Sequence, residues 1–359
     1  MVQMMAGRLL RQQGFNLRQF ALTQTRSYAI PSFTPTSSSP ELDEALDRVR
    51  KGLIIPFSLG EQQRRLVFRK KYAQRLEDNP VVLRLGGAQE EEEYALRPSG
   101  HPEAKITKKE SLAVVRLFKT PEDWQNAAPL LAGLKKARMV LKQDQREWLV
   151  RRAAMAGALG SILECAKQAD RTAFWLNEVG VVHRIFFALH VMAQEANFEP
   201  VATSKALSLA KQTSRLMDMP RHSVRDVELD PKHRPSVISV LLELSASQAL
   251  NKFEGHDQTG DVLRYAERLL ANWKYGNFRG TETDWPAIDY MLQHNVLIYN
   301  GMKLALQVQG IASNKSVSSM LKSRVNEIGT LIAKQTKEVP AKIQERPSMG
   351  YIQSKALYP

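Results

Sequence analysis

From Thr120 to about Lys337, apolar side chains recur every three or four residues, the spacing of helices that bury one face. No stretch there alternates at the period of a strand. The pattern predicts helices at 121–128, 130–168, 171–196, 201–217, 235–253, 259–274, 286–309 and 315–337, with a further break in the second at Gly157 or Gly160. Thr120-Pro121-Glu122-Asp123 opens the series as an N-cap signal, with Thr120 at the cap, Pro121 in the first turn and Asp123 in the capping-box position. Helices mostly of about 15 to 25 residues joined by short turns predict an all-α fold of stacked antiparallel hairpins. This is an α-solenoid of tetratricopeptide or pentatricopeptide type, with a compact helical bundle as the alternative. Small-residue runs such as Ala153–Ala158 and Ala206–Ala210 suit close helix packing, but no strict period of about 34 or 35 residues runs through them.

The flanks have a different texture. Residues 30–40 form a Pro/Ser/Thr linker with little apolar surface, expected to be disordered or laid along a partner. A short helix follows from Glu41 to Lys51, then an apolar, turn-rich strip from Gly52 to Gly60, then a helix from Glu61 to Asp78 stopped by Asn79-Pro80. Residues 81–119 read as an irregular connector. After Glu338 the chain is polar and Pro-punctuated, and it is expected to stay extended, with Ile343, Tyr351, Ile352, Leu357 and Tyr358 as anchors on a partner. Four segments result: 1–28, a basic and partly extended 29–119, a helical-repeat domain 120–337, and an extended C-terminal tail 338–359.

The first 28 residues carry an address. No Asp, Glu or Lys precedes Glu41, while Arg8, Arg11 and Arg18 lie opposite Met5, Leu9, Leu10, Leu17 and Phe20 on a helical wheel. Such a helix can seat its apolar face in a receptor and be drawn inward by a membrane potential. Arg26-Ser27-Tyr28-Ala29 matches a processing site, so cleavage is predicted between Tyr28 and Ala29 and the destination is the mitochondrial matrix. A secretory signal would need a longer apolar core than any run here.

Charge then narrows the partner. Setting aside the four leader arginines reduces the formal +14 to near +10, so the body is basic as well and a polyanionic partner is expected. The lone Cys165 excludes an intrachain disulfide or a multi-thiolate metal site, and its apolar helical setting predicts a buried structural thiol. No run reaches the length of a membrane span. Phosphate-loop, dinucleotide, zincin and nucleophile-elbow motifs are absent, so neither an enzyme nor a bound cofactor or metal is expected, nor a small-molecule substrate. His183 and His190 share a helix face without a completing ligand and are expected in the core or at an interface. His222 and His233 lie in a basic, Pro-broken loop that could be a surface contact or a solvated turn.

Two clusters of cations could meet phosphate. Lys135, Arg138, Lys142 and Arg146 share one arc of the predicted helix 130–168 and would form a rail about 16 Å long. Arg64, Arg65, Arg69, Lys70, Lys71 and Arg75 crowd the 61–78 helix with Phe68 and Tyr72, a mixture suited to stacking on bases and pairing with phosphates. Leu66, Phe68 and Tyr72 could equally be core. The aromatic group Trp273, Tyr275, Phe278 and Trp285 reads as packing, with a stacking surface for bases as the alternative.

The leader ending Arg26-Ser27-Tyr28-Ala29, the basic stretch Arg64 to Arg75, the hairpins from Trp148 to Lys337 and the tail to Pro359 together resemble a fungal mitochondrial small-subunit ribosomal protein family with pentatricopeptide-like repeats. The resemblance implies a structural role bound to ribosomal RNA and neighbouring ribosomal proteins. The irregular period departs from base-by-base RNA reading. A free pentatricopeptide-like factor acting on messenger RNA in maturation or translational activation is the alternative, and a tetratricopeptide-type adaptor at the inner membrane is a third.

Overall fold

The chain divides into two compact units. The computed structural model describes residues 30–36, 39–85, 92–100 and 106–358; the leader, its cleavage site at Tyr28-Ala29, and Gly86-Gly87 lie outside these residues.

The first unit is built from the chain up to Val114, with Ala132–Met139. In α1 (Pro40–Val49), Pro40 fits the first turn and Glu41 and Asp43 face the helix N-terminus, while Leu42, Leu46 and Val49 fill the buried face. The strip after Gly52 does not break the helix as expected. The backbone passes through a π-helical turn, Arg50–Ile54, into α2 (Ile55–Ser58). Pro56 has no N–H to give to an α-helical ladder, and the wider turn ahead of it accommodates that loss while Leu53, Ile54 and Ile55 stay buried.

The predicted 61–78 helix is two helices. α3 (Glu61–Phe68) ends at Arg69, which is extended (φ −95°, ψ 119°), and a 3-10 turn at Lys70–Tyr72 leads to α4 (Ala73–Asp78). Val67 of α3 and Leu76 of α4 join Ile55, Leu59 and Leu96 in one apolar cluster. Ile30, from the linker expected to be disordered, packs on that cluster. Thr36 donates both its N–H and its hydroxyl to Asp43 Oδ1 at 2.9 and 3.0 Å. The linker therefore lies on its own chain.

The connector also holds structure that its composition hid. β1 (Val82–Leu85) and β2 (Glu92–Ala95) pair antiparallel with Val82 opposite Ala95, and the Tyr94 hydroxyl donates to the Lys51 carbonyl at 2.9 Å. α5 (Lys108–Val114) opens on a reciprocal cap in which Thr107 N–H donates to Glu110 and Glu110 N–H to the Thr107 hydroxyl.

The second unit spans Val115–Leu131 and Val140–Pro359. Its start confirms the cap: Thr120 N–H donates to Asp123 Oδ2 at 2.9 Å and Asp123 N–H to Thr120 Oγ1 at 3.3 Å, ahead of a 3-10 turn at Asp123–Asn126 and α6 (Ala127–Lys136). There follow α7 (Gln143–Met155), α8 (Leu159–Lys167), α9 (Ala169–Thr172), α10 (Val179–Glu195), α11 (Pro200–Met217), α12 (Pro235–Lys252), α13 (Asp261–Ala271), α14 (Trp285–Ala305), α15 (Gln309–Ser313) and α16 (Lys315–Gln335). The two short strands are the only β-structure among the described residues, so the protein is all-α.

α12 lies at the centre. Apolar Val237, Ile238, Val240, Leu241, Leu242 and Leu244 are buried together with Ser236, Ser239, Ser245 and Ser247, so nearly every direction around the helix meets protein. α10, α11, α13 and α14 pack on it. At the α12–α14 crossing, a Cβ on Gly301 would stand 2.7 Å from the Ser239 carbonyl, so a glycine is what permits that approach.

The C-terminal segment, expected to be extended, folds instead as α17 (Ala341–Glu345) and α18 (Met349–Leu357), and α18 packs on α14. Ser348 Oγ and Tyr351 N–H both donate to Asp289 Oδ1, and Trp285 Nε1 donates to Ser348 Oγ at 3.1 Å. Tyr351 and Tyr358 meet Trp285 and Tyr299 edge to face. The tail's aromatic anchors are thus used on the chain's own surface, and of its large apolar side chains among the described residues only Met349 and Ile352 are exposed.

Candidate nucleic-acid interface

Burying Val67 and Leu76 fixes which way α3 and α4 face. With those two side chains turned inward, Arg64, Arg65, Arg69, Lys70, Lys71 and Arg75 are all exposed. Arg65 is paired with Glu61, and Lys71 stands 4.8 Å from the centroid of the Tyr72 ring. Arg64, Arg69, Lys70 and Arg75 have no carboxylate partner among the described residues. Phe68, 40% exposed, leans on Phe57 with ring centroids 5.1 Å apart. Phe68 is therefore neither core nor free. The residues of this stretch that carry the core, Val67 and Leu76, were not singled out by sequence, because the break at Arg69 shifts the phase of the helical period.

The second cluster does not survive as a rail. The helix predicted from 130 to 168 stops after Lys136, and residues 137–142 are non-helical. Arg138 adopts a left-handed conformation (φ 58°) that closes α6, its N–H donating to the Lys135 carbonyl. Lys142 sits at the cap of α7, where its N–H donates to Gln145 Oε1 at 3.0 Å. Lys135 and Arg138 belong to the first unit, and Lys142 and Arg146 to the second.

Arg146 faces inward, with 8% exposure. Its guanidinium forms a forked ion pair with Glu178 and donates to the Ala173 carbonyl at 3.2 Å. Ala173 is the left-handed residue (φ 57°) that ends α9, so Arg146 satisfies a helix C-terminus and joins it to the start of α10. Periodicity could not reveal this, because Glu178 lies 32 residues away.

His183, His190, His222, His233 and His294 are used in packing. His190, fully buried, places Nδ1 2.6 Å from Glu243 Oε2 and Nε2 3.1 Å from Gln353 Oε1, and Asn300 Nδ2 donates to the other Glu243 oxygen. Two oxygen acceptors suit a doubly protonated ring. Burial works against that charge, but Glu243 and the hydrogen bonds hold the pKa above its ordinary value. This network ties α10, α12, α14 and α18. His183 stacks on His294, centroids 3.7 Å apart, and burial drives both toward the neutral form, His294 to about 3. His222 is buried and its Nδ1 accepts the Leu176 N–H, and His233 Nδ1 meets Asn272 Oδ1 at 2.8 Å. Cys165 is buried, which with Glu164 nearby pushes its thiol up to about 12, the inert thiol expected. Trp273 stacks on Phe278 at 4.4 Å and is covered by Arg324, a packing group as expected. No set of three metal-ligating side chains converges among the described residues.

The chain is thus of the class of basic all-helical proteins, and its α3–α4 segment carries exposed cations. The comparison with known families specifies it further. The profile of mitochondrial ribosomal protein mS27 matches residues 18–356, nearly the whole chain, and the protein belongs to that family. It is similar to the small ribosomal subunit protein mS27 of Neurospora crassa, 27% identical over 268 residues. The match covers 69% of this chain and 66% of the relative, so the chain spans just under two thirds of that relative's length.

Proposed function

We propose that this protein is a structural component of the small subunit of the mitochondrial ribosome, bound to ribosomal RNA and neighbouring ribosomal proteins in the matrix. The observation that carries the reading is the exposed cation cluster of α3 and α4 on a chain of the mS27 family. Arg64, Arg65, Arg69, Lys70, Lys71 and Arg75 are the phosphate contacts in this reading, with Phe68 and Tyr72 available beside them for base stacking. Lys135, Arg138 and Lys142 are further candidates as separate surface cations, not as a rail; Arg146 works inside the fold. The role is architectural, not catalytic. The order of packing, α7 on α10, α10 on α12, α12 on α14 and α14 on α16 with α8, α11 and α13 alongside, supports a stacked-hairpin, solenoid-like arrangement. The leader is removed between Tyr28 and Ala29 on import, which N-terminal sequencing of the mature chain reads directly.

Sedimentation of mitochondrial extract in magnesium at moderate and high salt tests the role. Stoichiometric comigration with the small subunit that persists at high salt is expected. Substoichiometric, easily stripped association would replace this reading with a free RNA-binding factor acting on messages, since pure phosphate contact weakens steeply with salt.

A further inference from the structure

Between α11 and the 3-10 turn at Pro231–His233, residues 218–230 leave the helical array and return to nearly the same place. Lys232 Nζ lies 3.9 Å from Asp218 Oδ1 and 3.5 Å from Asp230 Oδ2, so one ammonium draws the two ends together. That is the form of an Ω-loop. It is held stiffly. His222 is buried and accepts the Leu176 N–H, Arg221 pairs with Asp170 at 3.2 Å, Asp226 Oδ1 accepts the Glu228 N–H, and Arg234 donates to the Glu228 carbonyl at 2.6 Å.

This braced loop exposes apolar side chains. Of the twelve large hydrophobic residues exposed among the described residues, Met219, Val227 and Leu229 stand in it, at 41, 45 and 57%. Met219 adjoins Asp218 and Leu229 adjoins Asp230, so both flank the neck that Lys232 closes. Apolar side chains on a loop already fixed in place lose little freedom on docking, and their exposure is costly unless something covers them.

We propose that this loop docks a neighbouring protein, through an apolar surface of that partner bordered by lysine or arginine. Charge selects the partner. Asp226 and Glu228 are exposed on either side of Val227 and stand in no ion pair, and Arg225 is the one exposed cation of residues 218–230 outside an ion pair, since Arg221 is engaged by Asp170, Asp218 shares Lys232, and Arg234 beyond them is half-buried on the Glu228 and Tyr275 carbonyls. Carboxylates at a rim repel phosphates and favour a cationic border on a protein. The inference deepens the ribosomal reading by assigning a protein-binding face distinct from the cations of α3 and α4.

Because Cys165 is the sole cysteine and is buried, L229C places one reactive thiol on the loop of the full chain. The thiol is labelled with maleimide in mitochondrial extract before and after the assembly is dissociated. It is then coupled to a photo-activated crosslinker and the adduct is mapped. About tenfold slower labelling in the assembly, together with an adduct on an apolar protein segment flanked by Lys or Arg, is the expected result. Equal labelling in both states, or an adduct on RNA, overturns the proposal. If the chain sediments apart from the small subunit, the ribosomal reading fails instead, and the same labelling in the fraction that holds the chain still decides what the loop binds. M219S, V227S and L229S combined should lower protein retention at high salt and leave phosphate-dependent RNA binding unchanged.

Discussion

Two sets of charged side chains in this molecule have opposite fates. At the α3–α4 junction and on α4, Arg69, Lys70 and Arg75 stand in solvent without a carboxylate, whereas Arg146 and His190 are buried against Glu178 and Glu243. A count of bases along the sequence treats both groups alike. The difference is whether the chain itself supplies the counter-charge. Where it does, the cation joins helices; where it does not, the charge stays in solvent, and the proposed contact with phosphates there would release condensed counterions.

Breaking the buried set should cost most. Glu243→Ala removes the carboxylate that keeps His190 protonated, so burial drives the ring to its neutral form and both its Nδ1 and the Asn300 amide lose their acceptor; about 3–5 kcal/mol of stability should be lost, read by urea unfolding. Next comes the seat of the C-terminal helix. A Cβ at Gly350 would stand 2.3 Å from the Asp289 carbonyl, a backbone atom that cannot swing aside. Gly350→Ala should cost about 1–3 kcal/mol and speed proteolysis of the tail.

The histidines sharpen the contrast through pH. His183, His222 and His294 have lowered pKa values in the fold, so the unfolded chain takes up protons first. Stability from each is complete above the ordinary histidine pKa of about 6.5 and declines as pH falls below it. His190 is raised, so its contribution is complete below about 6.5 and is lost as pH rises through its folded value. With three groups against one, unfolding free energy should drop from pH 7 to 5, read by urea unfolding at the two pH values. His294→Asn should flatten that slope. At the small end, Lys142→Ala should change stability by under about 0.5 kcal/mol, in contrast to Arg146→Ala at about 2–3, though the two were once neighbours on a predicted arc.

Much of the helical order was legible. The predicted spans 201–217, 235–253 and 315–337 lie within two residues of α11, α12 and α16, because each begins or ends at a Pro, Asn or turn signal that acts locally. The errors were of another kind. Periodicity runs on across Arg69 and Ala137–Lys142, where apolar spacing continues through a turn, and the tail looks extended in sequence because its few anchors are too sparse to fold alone. The inward turn of Arg146, the His190–Glu243 pair and the docking of Tyr351 near Asp289 depend on partners 32, 53 and 62 residues away. The α3–α4 cations stood out in sequence because nothing distant engages them, whereas the Ω-loop went unnoticed as an apolar surface, its Met, Val and Leu being spread over eleven residues of polar chain.

The central claim, that the unpaired cations of α3 and α4 hold this protein to RNA of the mitochondrial small subunit, is tested most directly by R69E, K70E and R75E together in the full chain. All three side chains are exposed, so thermal unfolding should be unchanged, and the salt dependence of binding to small-subunit RNA should fall in slope by about two to three. An unaltered slope with full comigration at every salt concentration would contradict it.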